Sequence, residues 1–204
     1  MQDWRTNRYG GKFQVEVDEN GKIIEKVTWM PIKKNGEFIK KNTKPWEAMK
    51  RNGKIVKKTI EIPNKDYSKE EIEYENGYKK NENEIKSAKF VQGLSHKKVK
   101  MLSVKSRDNL NPDAMVDGKY VDFKNPKSTS KNGIDSLTRH GLRQINRYGN
   151  DKAGFVFHWA DDLQQSKNNI DKQVIDRMQR SEGTTGQVHV KKKKRLFIYK
   201  KREI

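Results

Sequence analysis

The sequence predicts a mixed α/β domain that follows a small β-rich N-terminal region. Up to about residue 65 of the 204, short β-prone runs alternate with turn signals. After residue 80, helix-like and strand-like patterns alternate instead. Residues 66–80, which lie between these parts, are polar and lack apolar periodicity. We therefore expect a β-rich region over 1–65, a polar linker over 66–80 and the main domain over 81–204.

The N-terminal region contains turn signals at fairly regular intervals. Residues 13–17 alternate apolar and polar side chains before a turn at Asn20-Gly21, and residues 23–29 resume an extended pattern. Further turn signals follow at Asn35-Gly36 and Asn52-Gly53. The pattern is typical of a small β-meander or of an extended appendage.

The main domain begins with a helix over residues 81–94, where every third or fourth residue is apolar. Two short β-prone runs, 113–116 and 119–124, are joined by Asp117-Gly118, a dipeptide typical of tight hairpins. The other predicted elements are a strand over 99–104, a helix over 134–148, a strand over 153–158, a helix around 170–178 and a last strand over 195–200.

The charge of the chain indicates the kind of partner. Lys and Arg number 46 against 27 Asp and Glu, which gives a net charge of +19 and predicts a polyanionic partner, with nucleic acid as the first candidate. The chain has no Cys, so disulfides, thiolate zinc sites and Cys nucleophiles are excluded. Its apolar runs are too short to cross a bilayer, and we expect no membrane segment.

The predicted hairpin places acidic and basic side chains on one face. With Asp117-Gly118 at its turn, Asp113 lies opposite Asp122 on one face. The period of two along a strand places Lys124 on the same face as Asp122. Paired carboxylates suit Mg²⁺ or Mn²⁺, and a neighbouring Lys suits hydrolysis of a phosphodiester. A surface hairpin whose charges merely face water is the alternative.

These residues carry a family resemblance. Asn111-Pro112-Asp113, followed by Asp122-Phe123-Lys124, resembles the bipartite PD-(D/E)xK motif of restriction-endonuclease-like nucleases. The resemblance implies a mixed sheet flanked by helices, a divalent metal held by Asp113 and Asp122, and Lys124 acting on the attacking water or phosphate. It also implies a metal-associated Glu84 on the preceding helix and an orienting Gln144 on the following one. A solvated helix-start Glu and a partly buried helical Gln remain the alternatives for these two.

A closer resemblance is to the C-terminal nuclease domains of bacterial polymorphic toxins, including tRNase-like domains of contact-dependent growth inhibition. The stretches NEIKSAKFVQGLSHKKVKML and NPDAMVDGKYVDFKNPKS are similar to theirs. This implies a bacterial toxin that cleaves tRNA, other RNA or DNA in the cytoplasm of a target cell, and a cognate immunity protein. A DNA endonuclease of restriction, repair or mobile-element function, and a noncatalytic nucleic-acid-binding module, are the alternatives.

Basic residues outside the motif are candidates for binding the phosphate backbone. They lie in a Ser/Lys-rich loop after residue 124, on the polar side of the helix over 134–148, and in the basic C-terminal run, which we expect at the sheet edge. The candidates are Lys127, Lys131, Arg139, Arg143, Arg147, Lys191, Lys192, Lys193 and Lys194. Trp159, at the end of a predicted core strand, is either structural or a platform for base stacking.

Overall fold

A computed structural model describes residues 2–6, 12–16, 55–105, 110–127, 133–181 and 184–201. The chain divides into two compact units, and the sequence boundary between them falls between Ile55 and Val56. In the first unit, β1 (Gln2–Thr6) and β2 (Lys12–Glu16) form an antiparallel pair. The strand predicted over 23–29 and all three Asn-Gly turn signals lie outside the described residues.

The second unit confirms the mixed α/β class, because its described residues form an eight-stranded sheet with three helices. The strands are ordered β3-β10-β9-β8-β7-β6-β5-β4, and β7, β8 and β9 are parallel neighbours. The strands are β3 (Ile55–Glu61), β4 (Glu73–Tyr74), β5 (Val99–Met101), β6 (Ala114–Val116), β7 (Lys119–Lys124), β8 (Ala153–Trp159), β9 (Gln187–Lys192) and β10 (Arg195–Lys201). The helices are α1 (Glu82–Ser95), α2 (Gly133–Ile145) and α3 (Lys167–Arg180).

The helices cover both faces of the sheet. Helix α1 begins at Asn81, whose side chain accepts hydrogen bonds from the backbone N–H groups of Asn83 and Glu84. Its apolar face packs on Val121 and Phe123 of β7 in the main core cluster. Helices α2 and α3 pack against each other, and α2 also contacts β7 and β8.

Along β7, the apolar and the charged side chains point to opposite faces of the sheet. Val121 and Phe123 point to the α1 side, so Asp122 and Lys124 point to the α2 side. Because a strand in the middle of a sheet is covered on both faces, Asp122 is fully buried. A carboxylate at such a position is costly unless something compensates it.

Two predicted boundaries differ from the structure. The sheet begins at β3 rather than after residue 80, and the expected linker contributes a 3₁₀ turn (Tyr67–Lys69) and the short strand β4. Both strands lie at the sheet's borders, where outward polar residues obscure the pattern. We attribute the missed boundaries to this exposure.

The C-terminal strand was expected at the sheet edge, and this is wrong. β10 lies between β3 and β9, and β9 itself was not predicted. The two strands form a hairpin whose turn is Lys193-Lys194, with Lys193 in the left-handed region at φ 54°. No Gly, Asn or Pro marks that turn, so a run of lysines concealed it.

Candidate active site

Five residues of the predicted site come together where β6 begins and β7 ends. Lys124 ends β7, Asp113 precedes β6, Glu84 lies in the first turn of α1, and Gln144 lies near the end of α2. β6 runs antiparallel to β7, so the start of β6 meets the end of β7. Asp122, one alternation before Lys124, completes the group.

The hairpin has the predicted register up to its last pair. Ala114 pairs with Val121 and Val116 with Lys119, around the turn residues Asp117 and Gly118, which both have positive φ. The ladder ends there, so the direct cross-strand pairing of Asp113 with Asp122 is not part of it.

Asp113 instead bonds to the neighbouring strand. Its N–H donates to the carbonyl of Val121 at 3.0 Å, and its Oδ2 accepts from the N–H of Phe123 at 2.7 Å. Its carboxylate still interacts electrostatically with that of Asp122. Burial raises the pKa of Asp113, against the opposing effects of the Lys124 charge and the Phe123 N–H.

Asp122 is a buried carboxylate with little compensation. Its Oδ2 lies 2.7 Å from Nζ of Lys124, an ion pair in which the Asp122 side chain is 0% exposed. Apart from this contact, no backbone N–H, amide or hydroxyl group of the described residues donates to either carboxylate oxygen. Burial, and next the charge of Asp113, raise the pKa of Asp122 well above its ordinary value, and Lys124 opposes this shift.

Gln144 holds Lys124 in place. The Lys124 ammonium donates to Oε1 of Gln144 at 2.8 Å, and Nε2 of Gln144 donates to the carbonyl of Asn111 at 2.7 Å. Gln144 is itself buried on α2. The amide therefore links α2, the end of β7 and the loop before β6, and fixes the direction of the ammonium.

Glu84 lies on the other side of Asp113. Its carboxylate accepts from Nδ2 of Asn81 at 2.7 Å and from the Tyr78 hydroxyl at 3.3 Å. Burial and the neighbouring Asp113 charge raise the pKa of Glu84 to about 7, although both hydrogen bonds and Lys124 oppose the shift. Burial and the charge of Glu84 raise the pKa of Tyr78 to about 12.

Two further residues shape the site and were not predicted as part of it. A Cβ at Gly141 of α2 would lie 2.5 Å from Cγ1 of Val156 and 2.7 Å from Oδ2 of Asp122, so only glycine lets the helix approach this closely. The sequence signal was a glycine on the apolar stripe of the predicted helix.

The second is His158, which pairs with Lys124 across β7 and β8. It is fully buried, and its Nε2 shares a 2.9 Å hydrogen bond with the Thr138 hydroxyl. Burial, and then the Lys124 charge, lower the pKa of His158 to about 3. The ring is therefore neutral at physiological pH and adds no second positive charge beside Lys124.

The donor set supports a metal only in part. Asp113 and Asp122 supply hard oxygen ligands, and the Asp122 oxygens have no donor in the described chain besides the Lys124 ammonium. Yet among residues 55–105, 110–127, 133–181 and 184–201, no three His, Cys, Asp or Glu side chains converge to hold an ion. Glu84 turns to Asn81 and Tyr78 instead. The two aspartates are thus the pair on which a metal site would be built.

The candidate backbone-binding residues separate into two groups. Lys127, Arg139, Arg143, Lys193 and Lys194 are exposed, and Arg147 is partly exposed. Lys191 is buried in an ion pair with Asp161, and Lys192 donates to the Leu163 carbonyl at 2.5 Å. Lys131 lies outside the described residues.

Comparison with protein-family models, with curated proteins and with solved structures finds no match to this chain. The fold itself is of the mixed α/β class. Its assignment to the restriction-endonuclease-like fold stays a prediction. Within the described residues, none of the helices has the length and apolar character needed to span a membrane.

Proposed function

We propose that the second unit is a metal-dependent nuclease that hydrolyses phosphodiester bonds of nucleic acid. The observation that carries the proposal is the buried pair formed by Asp122 and Lys124, beside Asp113 at the end of β7. A structural role alone does not account for a buried carboxylate whose one donor in the described chain is the Lys124 ammonium. The net charge of +19 supports a polyanionic substrate.

Asp113 and Asp122 would hold Mg²⁺ or Mn²⁺ through their carboxylate oxygens, with Glu84 in support. Such an ion, when bound, polarises the phosphate and makes a water easier to deprotonate. Burial raises the pKa of both aspartates, and the charge of Asp113 raises that of Asp122 further; a bound cation would favour the ionised form of each. Metal binding and proton release are therefore expected to be coupled.

Lys124 is the residue that would act on the reacting group. As water attacks phosphorus and the bond to the leaving oxygen breaks, negative charge grows on the phosphoryl oxygens. The Lys124 ammonium, directed by Gln144, is placed to stabilise that charge without rearranging. Gln144 acts through Lys124 and is a positioning residue.

The biological role we propose follows the resemblance to polymorphic toxin nucleases. A toxin of this kind would act on tRNA, other RNA or DNA in the cytoplasm of a target bacterial cell, and a cognate immunity protein would protect the producing cell. A DNA endonuclease of restriction, repair or mobile-element function would use the same residues, because the site acts on the sugar-phosphate backbone.

The test is cleavage by the full chain. Plasmid, single-stranded DNA and total tRNA are incubated with it in Mg²⁺, in Mn²⁺ or in EDTA, and single-turnover rates are measured. We expect metal-dependent cleavage that falls roughly 10²-fold or more in Lys124→Ala. Lys100→Ala is the matched control, because Lys100 is exposed on β5 and its loss removes the same charge.

Two results would overturn the proposal. Binding of nucleic acid with no cleavage under any condition would indicate a noncatalytic module that uses charge alone. Cleavage by Lys124→Ala at the parental rate would remove that lysine from the mechanism. Neutralising Lys193 and Lys194, exposed at the β9–β10 turn, should weaken binding and leave the rate at saturation near normal.

A further inference from the structure

A second basic feature lies on the α1 side of the sheet. A cavity of about 740 Å³ is bounded by the first turns of α1, the loop after β3, the end of β8 and the β9–β10 turn. Its volume is in the range of sites that hold small organic ligands. Lys65, Lys86, Lys89, Lys191, Lys193 and Lys194 line it.

Trp159 organises the positive charge of this cavity. Nζ of Lys86 lies 4.2 Å from the centre of the indole, and Nζ of Lys191 lies 4.5 Å from it. Phe90 packs edge-on against the indole at 5.6 Å and holds the ring in place. Cation–π attraction thus restrains two ammonium groups at the cavity wall before any ligand arrives.

Much of this charge is not neutralised. Lys65 pairs with Glu70 and Lys191 with Asp161. Within the described residues, by contrast, Lys86, Lys193 and Lys194 have no carboxylate partner. Of the two carboxylates that line the cavity, Glu82 is paired with Lys80 and Asp66 accepts from Ser68. The cavity therefore has an excess of cationic groups that an anion can satisfy.

The cavity and the candidate active site lie on opposite faces of the sheet, at the C-terminal ends of β7 and β8. Lys124 pairs with His158, and the next residue is Trp159, which alternation places on the α1 side. The first turn of α1 contributes Glu84 to the active site and Glu82 to the cavity. A nucleic-acid strand that crosses the ends of β7 and β8 would pass both.

We propose that this Trp159 cavity is a binding subsite for unpaired nucleotides that flank the phosphodiester at Lys124. The inference rests on the proposed nuclease function. Lysines that neutralise phosphates beside an aromatic ring are the combination that binds single strands. A recess walled by α1 and a loop admits one unpaired nucleotide more readily than a paired one, so the subsite selects single-stranded substrate.

The test measures binding without cleavage. The full chain is titrated in EDTA against a fluorescein-labelled 12-nucleotide single strand, as DNA and as RNA, and against the corresponding duplex. The cavity variant is Lys86→Ala/Lys193→Ala/Lys194→Ala. Its control is Lys58→Ala/Lys100→Ala/Lys172→Ala, which removes the same charge from exposed lysines that do not line the cavity.

We expect the cavity variant to bind the single strand about tenfold or more weakly, with its salt dependence reduced by about two units of slope. The control should lose about threefold or less, and duplex binding should change equally in both variants. Tryptophan fluorescence provides a second readout. A single nucleotide, AMP, should change the emission of the parent chain but not that of Trp159→Phe, which keeps an aromatic ring in the fold.

Equal losses in the cavity variant and its control would overturn the subsite and leave only a diffuse basic surface. Displacement of the strand by polyglutamate at equal charge concentration would overturn it in favour of an acidic polypeptide. Because binding is measured in EDTA, a chain that binds strands through the cavity but never cleaves would refute the nuclease proposal alone. A chain that cleaves but binds strands equally well in both variants would refute the subsite alone.

Discussion

Removal of Lys124 should destabilise the protein in a way that depends on pH. The Lys124 ammonium is the only cation that the described chain places in an ion pair with Asp122, whose side chain is 0% exposed. In Lys124→Ala the Asp122 carboxyl therefore has two choices in the folded state. It stays charged and unpaired, at a cost of about 3–5 kcal/mol, or it takes up a proton.

Protonation sets the upper limit of that cost at each pH. The ordinary pKa of Asp is 3.8, and each pH unit above it adds about 1.4 kcal/mol to the cost of keeping the proton. Because the pKa of Asp122 is raised in the folded state, stability declines as pH rises from the ordinary value to the raised one. Loss of Lys124 raises that pKa further, so the destabilisation should be at most about 1.6 kcal/mol near pH 5 and about 3–5 kcal/mol near pH 8.

Urea unfolding of the parent chain and of Lys124→Ala at the two pH values measures this difference. Asp122→Asn is the companion variant, because it removes the charge and retains the shape. The double variant Asp122→Asn/Lys124→Ala completes a mutant cycle. Loss of Lys124 should destabilise the Asp122→Asn protein much less than it destabilises the parent chain. A destabilisation that is the same at both pH values, with no coupling in the double variant, would refute the view that Lys124 neutralises a buried carboxylate.

Three further predictions concern the residues around this pair. Mn²⁺ or Mg²⁺ at about tenfold excess over its Kd should stabilise the chain by about 1.4 kcal/mol and raise the Tm by about 3–6 °C. The shift should vanish in Asp113→Ala, and equal shifts in both proteins would place the ion elsewhere. Glu84→Gln should gain stability relative to the parent chain as pH rises from 4.5 to about 7, because the pKa of Glu84 is raised to about 7. The gain should be about 1–2 kcal/mol after screening at this partly exposed side chain, and parallel stability curves would contradict it. Gly141→Ala should cost about 1–3 kcal/mol in urea unfolding, since its Cβ would lie 2.5 Å from Cγ1 of Val156, and an unchanged midpoint would show that α2 can shift without cost.

The local elements were the predictable part of the fold. Asp117-Gly118 specifies a two-residue turn, and the strand predicted over 119–124 is the strand observed. The apolar stripe of α1 predicted the helix to within a residue at each end. Where the determinant was long-range pairing, prediction failed, because nothing local in β3 indicates that it borders β10.

The site was predictable to the extent that it depends on strand alternation. That periodicity places Lys124 on the face of Asp122, and the ion pair between them confirms it. The side-chain directions beyond the ladder were not predictable. Asp113 accepts a hydrogen bond from the backbone of Phe123 rather than continuing the pairing, and Glu84 accepts one from Asn81. Both directions depend on loop geometry, which the periodicity of strands and helices does not predict.

The fold accepts unfavourable contacts around Asp122. A sequence selected for packing alone would have an apolar residue at position 122 and Ala or Ser at position 141 of the facing helix α2. This chain instead buries Asp122, for which the described residues offer no donor other than the Lys124 ammonium, and uses Gly141 to let α2 approach it. It also secures the one compensating cation, Lys124, with a buried amide from Gln144. A buried ion pair of this kind contributes less to stability than apolar packing would, so selection for stability alone does not explain it. A positioned carboxylate and ammonium are the groups that the proposed metal-assisted hydrolysis of a phosphodiester would use.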